Sequence, residues 1–346
     1  MPLTFPPACL PLARGPLPHS SAAQALALLL RTTPMLLAWP QLPQRSFREQ
    51  SYAQAAASFP GLVYDGVEER VYVERALLER EIDWLSLAYL KGDTSYGALA
   101  VEDAGGLHEL LRIQPQGIKA RALKGHIVGP MSLGVQLTDE QQRPLAYDAM
   151  LLEALAQHIH LRAMWQEQQF AERAPESLLC LDEPFLDVVD SPFFPVPWDD
   201  ALALIERVFE GVQGCRAIAS GGAVSWDRVF ETSVELVVVD AYDHSAPLLA
   251  AEHLGEFFER GGAVAWGIVP ATEDALALET VASLVGRLDH IFDALAEQGI
   301  DRAGLPAAAL VTTSDGLAQL SVPAAERACA LLADVSAALR AKYKLA

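Results

Sequence analysis

The chain is short of most features that would announce a function. Cysteine is scarce: Cys9, Cys180, Cys215 and Cys329 lie far apart and form no CxxC pair. In a chain of 346 residues they read as buried, reduced thiols rather than a disulfide framework. There is no HExxH, no GxGxxG, and no histidine two residues before a cysteine. Basic charge is also short, with 25 Lys and Arg against 45 Asp and Glu, a net charge of −20. That field repels a phosphate backbone, so nucleic acid is not an expected partner. Long apolar runs are missing too. Ala22–Leu30 and Val234–Tyr242, both interrupted by polar residues, fall short of the roughly 20 residues a bilayer core demands. The Pro-rich start carries neither a charged n-region nor an apolar h-region. No signal peptide and no membrane association are therefore expected, and the expected location is cytoplasmic.

What is present is apolar: 51% of residues are hydrophobic and 20% charged, and the mean hydropathy is +0.20. Such a chain has ample material for a large core. From residue 118 onward, short Val/Ile/Leu/Ala runs alternate with amphipathic stretches, the pattern of repeated βα units around a parallel sheet. Strands are expected at Ile118–Val128, Ser177–Leu181, Cys215–Ala219, Glu235–Asp240, Ala263–Ile268 and Ala309–Thr313, with two earlier ones at Cys9–Ala13 and Met35–Trp39. The last helix places Ala328, Leu331, Val335 and Leu339 on one face, with Ser321 as its N-cap. Eight such units predict an α/β fold, a (β/α)8 TIM barrel. The runner-up, an open doubly wound sheet, would normally carry the missing GxGxxG loop. Residues 45–115 break the rhythm. Leu62–Tyr64 and Val71–Val73, around Asp65-Gly66-Val67, read as a β-hairpin. The segment is expected to be an elaboration, hairpin and helix, after the second strand and at or beside the barrel mouth. Residues 1–346 then form a single domain.

Barrel chemistry sits at the C-terminal strand ends, which turns the strand list into a site list. Asp182-Glu183 closes an apolar strand and offers two carboxylates for a ligand amine or for acid–base work. A helix cap explains the pair equally simply. Asp240, Tyr242 and His244 crowd a second strand end, where perturbed titration is plausible chemistry; a solvated polar turn is the plain alternative. His19, Trp39, Gln41, Ser220 and Trp266 complete the candidate ligand contacts, and Asp315 a further proton carrier. His158 and His160, two apart on a helix, point to opposite sides and do not share a metal.

Five stretches at these ends resemble the C-terminal barrel of the cobalamin-independent methionine synthases, within the superfamily that includes uroporphyrinogen decarboxylase: GPLPH (15–19), LKGHIVGPMSLG (123–134), LLCLDEPFL (178–186), GGAVAWGIVP (261–270) and VTTSDGLAQL (311–320). The resemblance implies the barrel fold and assigns Asp182 and Glu183 to an amino-acid amine. It also implies where zinc ligands would stand, and there the chain departs. The family's H-x-C pair corresponds to Ala217 and Ala219, its final cysteine to Asp315, and its glutamate falls at or near Asp240. The chain thus resembles a branch without the zinc ligands, and no metal site is expected.

The function expected from this resemblance is methyl or one-carbon transfer involving an amino-acid or thiol ligand, without the family's zinc. Two alternatives stand beside it: a non-catalytic member that binds a ligand or docks a corrinoid protein, and a cofactor-free decarboxylase. The cofactor is open, with folate or a corrinoid as candidate ligands. A small-molecule ligand is the expected partner, and a homodimer is compatible with so apolar a chain.

Overall fold

A computed structural model describes residues 5–345. Eight strands form one sheet: β1 (Leu10–Pro11), β2 (Leu36–Ala38), β3 (Ala122–Val128), β4 (Glu176–Asp182), β5 (Cys215–Ser220), β6 (Leu236–Asp240), β7 (Ala263–Val269) and β8 (Ala309–Thr313). Their order is β2-β3-β4-β5-β6-β7-β8-β1, and every pairing is parallel. The seam between β1 and β2 is bridged just beyond the strand ends by Pro16 and Gln41. There Leu17 N–H donates to Gln41 O at 2.9 Å and Gln41 N–H to Gly15 O at 3.1 Å. The result is a nearly closed (β/α)8 TIM barrel, as the apolar rhythm predicts.

Strands in this position are buried on both faces, which is why they read as continuous apolar runs. Period two still sorts their side chains. Leu10, Ala122, Leu178, Cys180, Ala217 and Leu236 belong to an inner cluster, while Leu123, Leu179, Ile218 and Val237 pack outward among the helices. All four cysteines are free and buried. Ser321 does stand at the N-cap of the last helix (Val322–Tyr343), but without a capping bond. Its hydroxyl instead donates to Glu273 at 2.6 Å, and Pro323, second in the helix, has no N–H to offer it.

Residues 45–115 hold helices at Ser51–Ala56, Arg75–Lys91 and Gly105–Arg112, and the hairpin of Leu62–Asp65 with Arg70–Val73. Each hairpin strand runs one residue further than the sequence suggests, leaving a loop from Gly66 to Glu69. Asp65 stabilises it by accepting from Val67 N–H and Glu68 N–H. A third short strand, Thr138–Asp139, joins in parallel to Arg70–Val73. Helix Ser51–Ala56 roofs the barrel and is held there by Arg162. This fully buried guanidinium donates to the carbonyls of Gln54, Ala55, Ala57 and Gly97 at 2.7, 2.6, 2.5 and 3.2 Å. Three of these carbonyls belong to the end of that helix, where unpaired C=O groups and the helix dipole favour a cation.

Candidate active site

A narrow cavity of about 40 Å³ lies under this roof. Ser51, Gln54, Ala55 and Leu99 of the roof line it, as do Arg14, Gln41, Lys124, His126, Asp182 and Asp315 of the barrel. Strand parity places the charged set. Lys124 and His126 follow Ala122 at steps of two on β3, and Asp182 follows Cys180 on β4. Strand-end reasoning from the sequence picks out Asp182, Gln41 and Asp315 but misses Lys124, His126 and Arg14. A signal for two of them is there: ionisable residues two apart within an apolar strand share one face, and here that face is the interior.

These groups are poorly partnered. Lys124 is 3% exposed, and its Nζ donates to Arg14 O at 2.7 Å. His126, 7% exposed, stacks on Trp39 with ring centroids 4.1 Å apart, yet neither of its ring nitrogens has a hydrogen-bond partner. Burial, reinforced by the Lys124 charge, holds the imidazole neutral well below its ordinary range. Its ring fits only because residue 15 is glycine. Gly15 has φ +133°, and a Cβ there would stand 2.7 Å from His126 Cε1. One buried nitrogen of Arg14, Nη1, is likewise unpartnered, while Nη2 lies 3.8 Å from Asp315, whose carboxylate is 83% exposed. Enclosure raises the Asp182 carboxyl, against the pull of Arg14 and Lys124.

The remaining candidates are placed elsewhere. Glu183 is fully buried, and its carboxylate accepts from Met131 N–H at 3.1 Å and Ser132 N–H at 2.7 Å. It therefore caps the helix Pro130–Gln136 and does not line the cavity. Gly129 makes the room, since a Cβ there would run into Glu183 Oε1. Burial pushes this carboxyl up to about 7 despite the two N–H donors. Ser220 Oγ donates to Glu183 O at 2.7 Å and serves the same corner.

Asp240 accepts from Tyr242 N–H and Asp243 N–H at 2.9 and 3.2 Å and from His244 Nδ1 at 2.7 Å. It organises its own turn. Tyr242 donates to Glu279 at 2.8 Å and lies under the Arg287 guanidinium. Trp266 points outward from β7, where Ala265 takes the inner position, and packs edge-on against Phe292. Trp39 is wholly buried behind His126 and donates to Gln166 at 3.0 Å. His19 is buried 3.7 Å from Glu326 and is no part of the lining. Gln41 Nε2 donates to Gln54 Oε1 at 2.7 Å, tying barrel to roof.

Among the described residues, no group of three or more His, Cys, Asp or Glu is arranged to hold a metal ion. At the positions where the resemblance implies zinc ligands, Ala217 and Ala219 fill the inner barrel, Asp240 is engaged in its turn and Asp315 faces solvent. The residues present do not fit a thiolate zinc site.

By fold, the chain is similar to a methyltransferase from Methanosarcina mazei, with 14% identity over 90% of this chain and 83% of that one and a TM-score of 0.51. It is also matched with a B12-independent methionine synthase from Shewanella sp. W3-18-1, 18% identical over 64% of this chain, TM-score 0.45. That match spans 63% of the Shewanella protein's length. A putative vitamin-B12-independent methionine synthase from Listeria monocytogenes matches at 11% identity over 67% of this chain and 68% of that one, TM-score 0.46. No family model and no curated protein sequence matches the chain. At 14% identity the Methanosarcina likeness is one of fold.

Proposed function

We propose that the chain is a barrel enzyme of methyl or one-carbon transfer that takes a small amino-acid-like or thiol ligand in the roofed cavity, without a thiolate zinc site. One observation carries this reading: Arg14 and Lys124 line the same narrow space as Asp182 and Asp315. Cations and the enclosed Asp182 carboxyl facing one small volume, with the mostly exposed Asp315 at its rim, suit a zwitterion, its carboxylate toward Arg14 and its amine toward Asp182. The cavity's size favours a ligand of few heavy atoms, so a folate or corrinoid donor would stay at the rim. The Methanosarcina barrel adds an analogy of fold.

A second reading, a binding protein that docks a corrinoid partner, is favoured by the alanines where the resemblance implies zinc ligands. A decarboxylase of the uroporphyrinogen type suits the site less, because two carboxylic side chains, Asp182 and Asp315, stand among the cations of a lining too small for a substrate with many carboxylates.

The test is calorimetric titration of the full chain with methionine and a thiol amino acid, followed by mass-spectrometric search for methyl transfer from a methyl-folate or methyl-corrinoid donor. Binding with turnover supports the first reading. Binding without turnover moves the assignment to the second, and no binding of any α-amino acid overturns both.

A further inference from the structure

The chain contains five lysines, and four of them, Lys91, Lys119, Lys342 and Lys344, are exposed. Lys124 alone is inside. Arginine is the cation used elsewhere when charge must be buried, as Arg162 shows with its four carbonyl partners. The difference is chemical: a guanidinium stays charged, whereas an amine can shed its proton and become a nucleophile. At Lys124, Nζ donates to Arg14 O, and the neighbouring cavity groups leave polar atoms open: Arg14 Nη1 and both His126 nitrogens.

We propose that Lys124 is an amine nucleophile that captures a small α-keto acid in the roofed cavity as an imine, with Arg14 holding the carboxylate. The neutral Nζ attacks the carbonyl carbon. A C–N bond forms as the C=O π pair moves to oxygen, which takes a proton from the Asp182 carboxyl. The nitrogen gives a proton to His126, the hydroxyl leaves as water with that proton returned from the imidazole, and the C=N bond forms. Amine, carbonyl and the Asp182 proton thus become a protonated imine and one water, with no oxidant or reductant. The Asp182 carboxylate left behind balances the imine's charge. Burial, with Arg14 beside it, lowers the proton affinity of Nζ and favours the free amine; burial raises that of Asp182 and suits it to donate. A cavity of about 40 Å³ favours a small acid of two or three carbons.

This goes beyond the methyl-transfer reading, and the two fail separately: trapping needs no methyl donor, and calorimetry with amino acids needs no reductant. The full chain is incubated with glyoxylate or pyruvate and sodium cyanoborohydride, digested, and mapped by mass spectrometry. The expected result is one saturable reduced adduct on Lys124, absent from Lys124→Met and from urea-unfolded protein. In Arg14→Met the keto-acid concentration for half-maximal trapping should rise by about tenfold or more, while trapping of propionaldehyde, which has no carboxylate, is unchanged. No adduct, or adducts spread evenly over Lys91, Lys119, Lys342 and Lys344, overturns the proposal. The wild-type map alone locates the adduct, so the outcome is decided even if a variant fails to fold.

Discussion

The two sides of the barrel mouth handle polar side chains in opposite ways. Around β5 to β7, carboxylates, hydroxyls and aromatics are used by the fold itself. Asp240 collects three donors from its own turn, Ser220 ties back to the Glu183 carbonyl, and Tyr242 is held by Glu279. Around β1, β3 and β4, by contrast, buried nitrogens of Arg14 and His126 stand without partners in a cavity. Unsatisfied buried polar atoms cost about 1–3 kcal/mol each, so a fold tolerates them mainly where something else is gained. The contrast separates a half of the mouth whose polar groups are engaged from one whose groups stand open, and single substitutions can break it.

The largest effect is expected within the roofed half. Arg162→Met strands the carbonyls of Gln54, Ala55, Ala57 and Gly97 and should lower unfolding free energy by about 4 kcal/mol in urea denaturation. Lys124→Met also removes a buried basic side chain, but one with a single carbonyl partner. It should leave stability unchanged or raise it by about 1 kcal/mol. Equal losses for the two buried basic residues would break the comparison, since Lys124 would then be structural.

Next in size is the corner between the halves. Glu183→Ala removes the cap on Met131 and Ser132 and should cost about 2 kcal/mol. The pH dependence has a definite sign. The folded-state carboxyl sits near 7, above the 4.5 of the free group, so the native state holds the proton more tightly. Its stabilising contribution is full below about pH 4.5 and is lost as pH rises through 7. Urea midpoints at pH 5 and 7.5 should show this fall in the wild type and a smaller one in Glu183→Ala. Asp182→Asn, on the cavity side of the same DE pair, should leave stability within about 0.5 kcal/mol while abolishing heat of amino-acid binding.

The barrel was legible because each strand is a compact apolar run flanked by turn residues, and all eight expected strands formed. Much less of the site could be read. Rules for strand ends lead to Asp182, Gln41 and Asp315, but they give Glu183 and Asp240 the same weight, and only hydrogen-bond geometry separates a free carboxylate from one already engaged. Trp266 fails on parity: Ala263 and Ala265 mark the inner face of β7, so the tryptophan beside them had to point outward. Lys124 and His126 fall outside those rules as strand interior, although two polar residues at a step of two in such a strand need a polar reason to be there.

The smallest predicted effect bears on the engaged half. His244 is 59% exposed and donates to Asp240 at 2.7 Å. That bond raises the imidazole's pKa above its ordinary 6.5, so its contribution to stability is present below 6.5 and fades as pH rises through the raised value. Solvent screening at such exposure keeps it small. His244→Ala should therefore cost under about 0.5 kcal/mol at pH 6, less at pH 8, and nothing measurable in ligand binding or imine trapping. A tenfold loss of either activity would place the chemistry on the β6 side and reverse the contrast between the two halves of the mouth. Unchanged activity with a faint, pH-dependent stability loss would mean that Asp240 and His244, both catalytic candidates in the sequence, serve the turn they belong to.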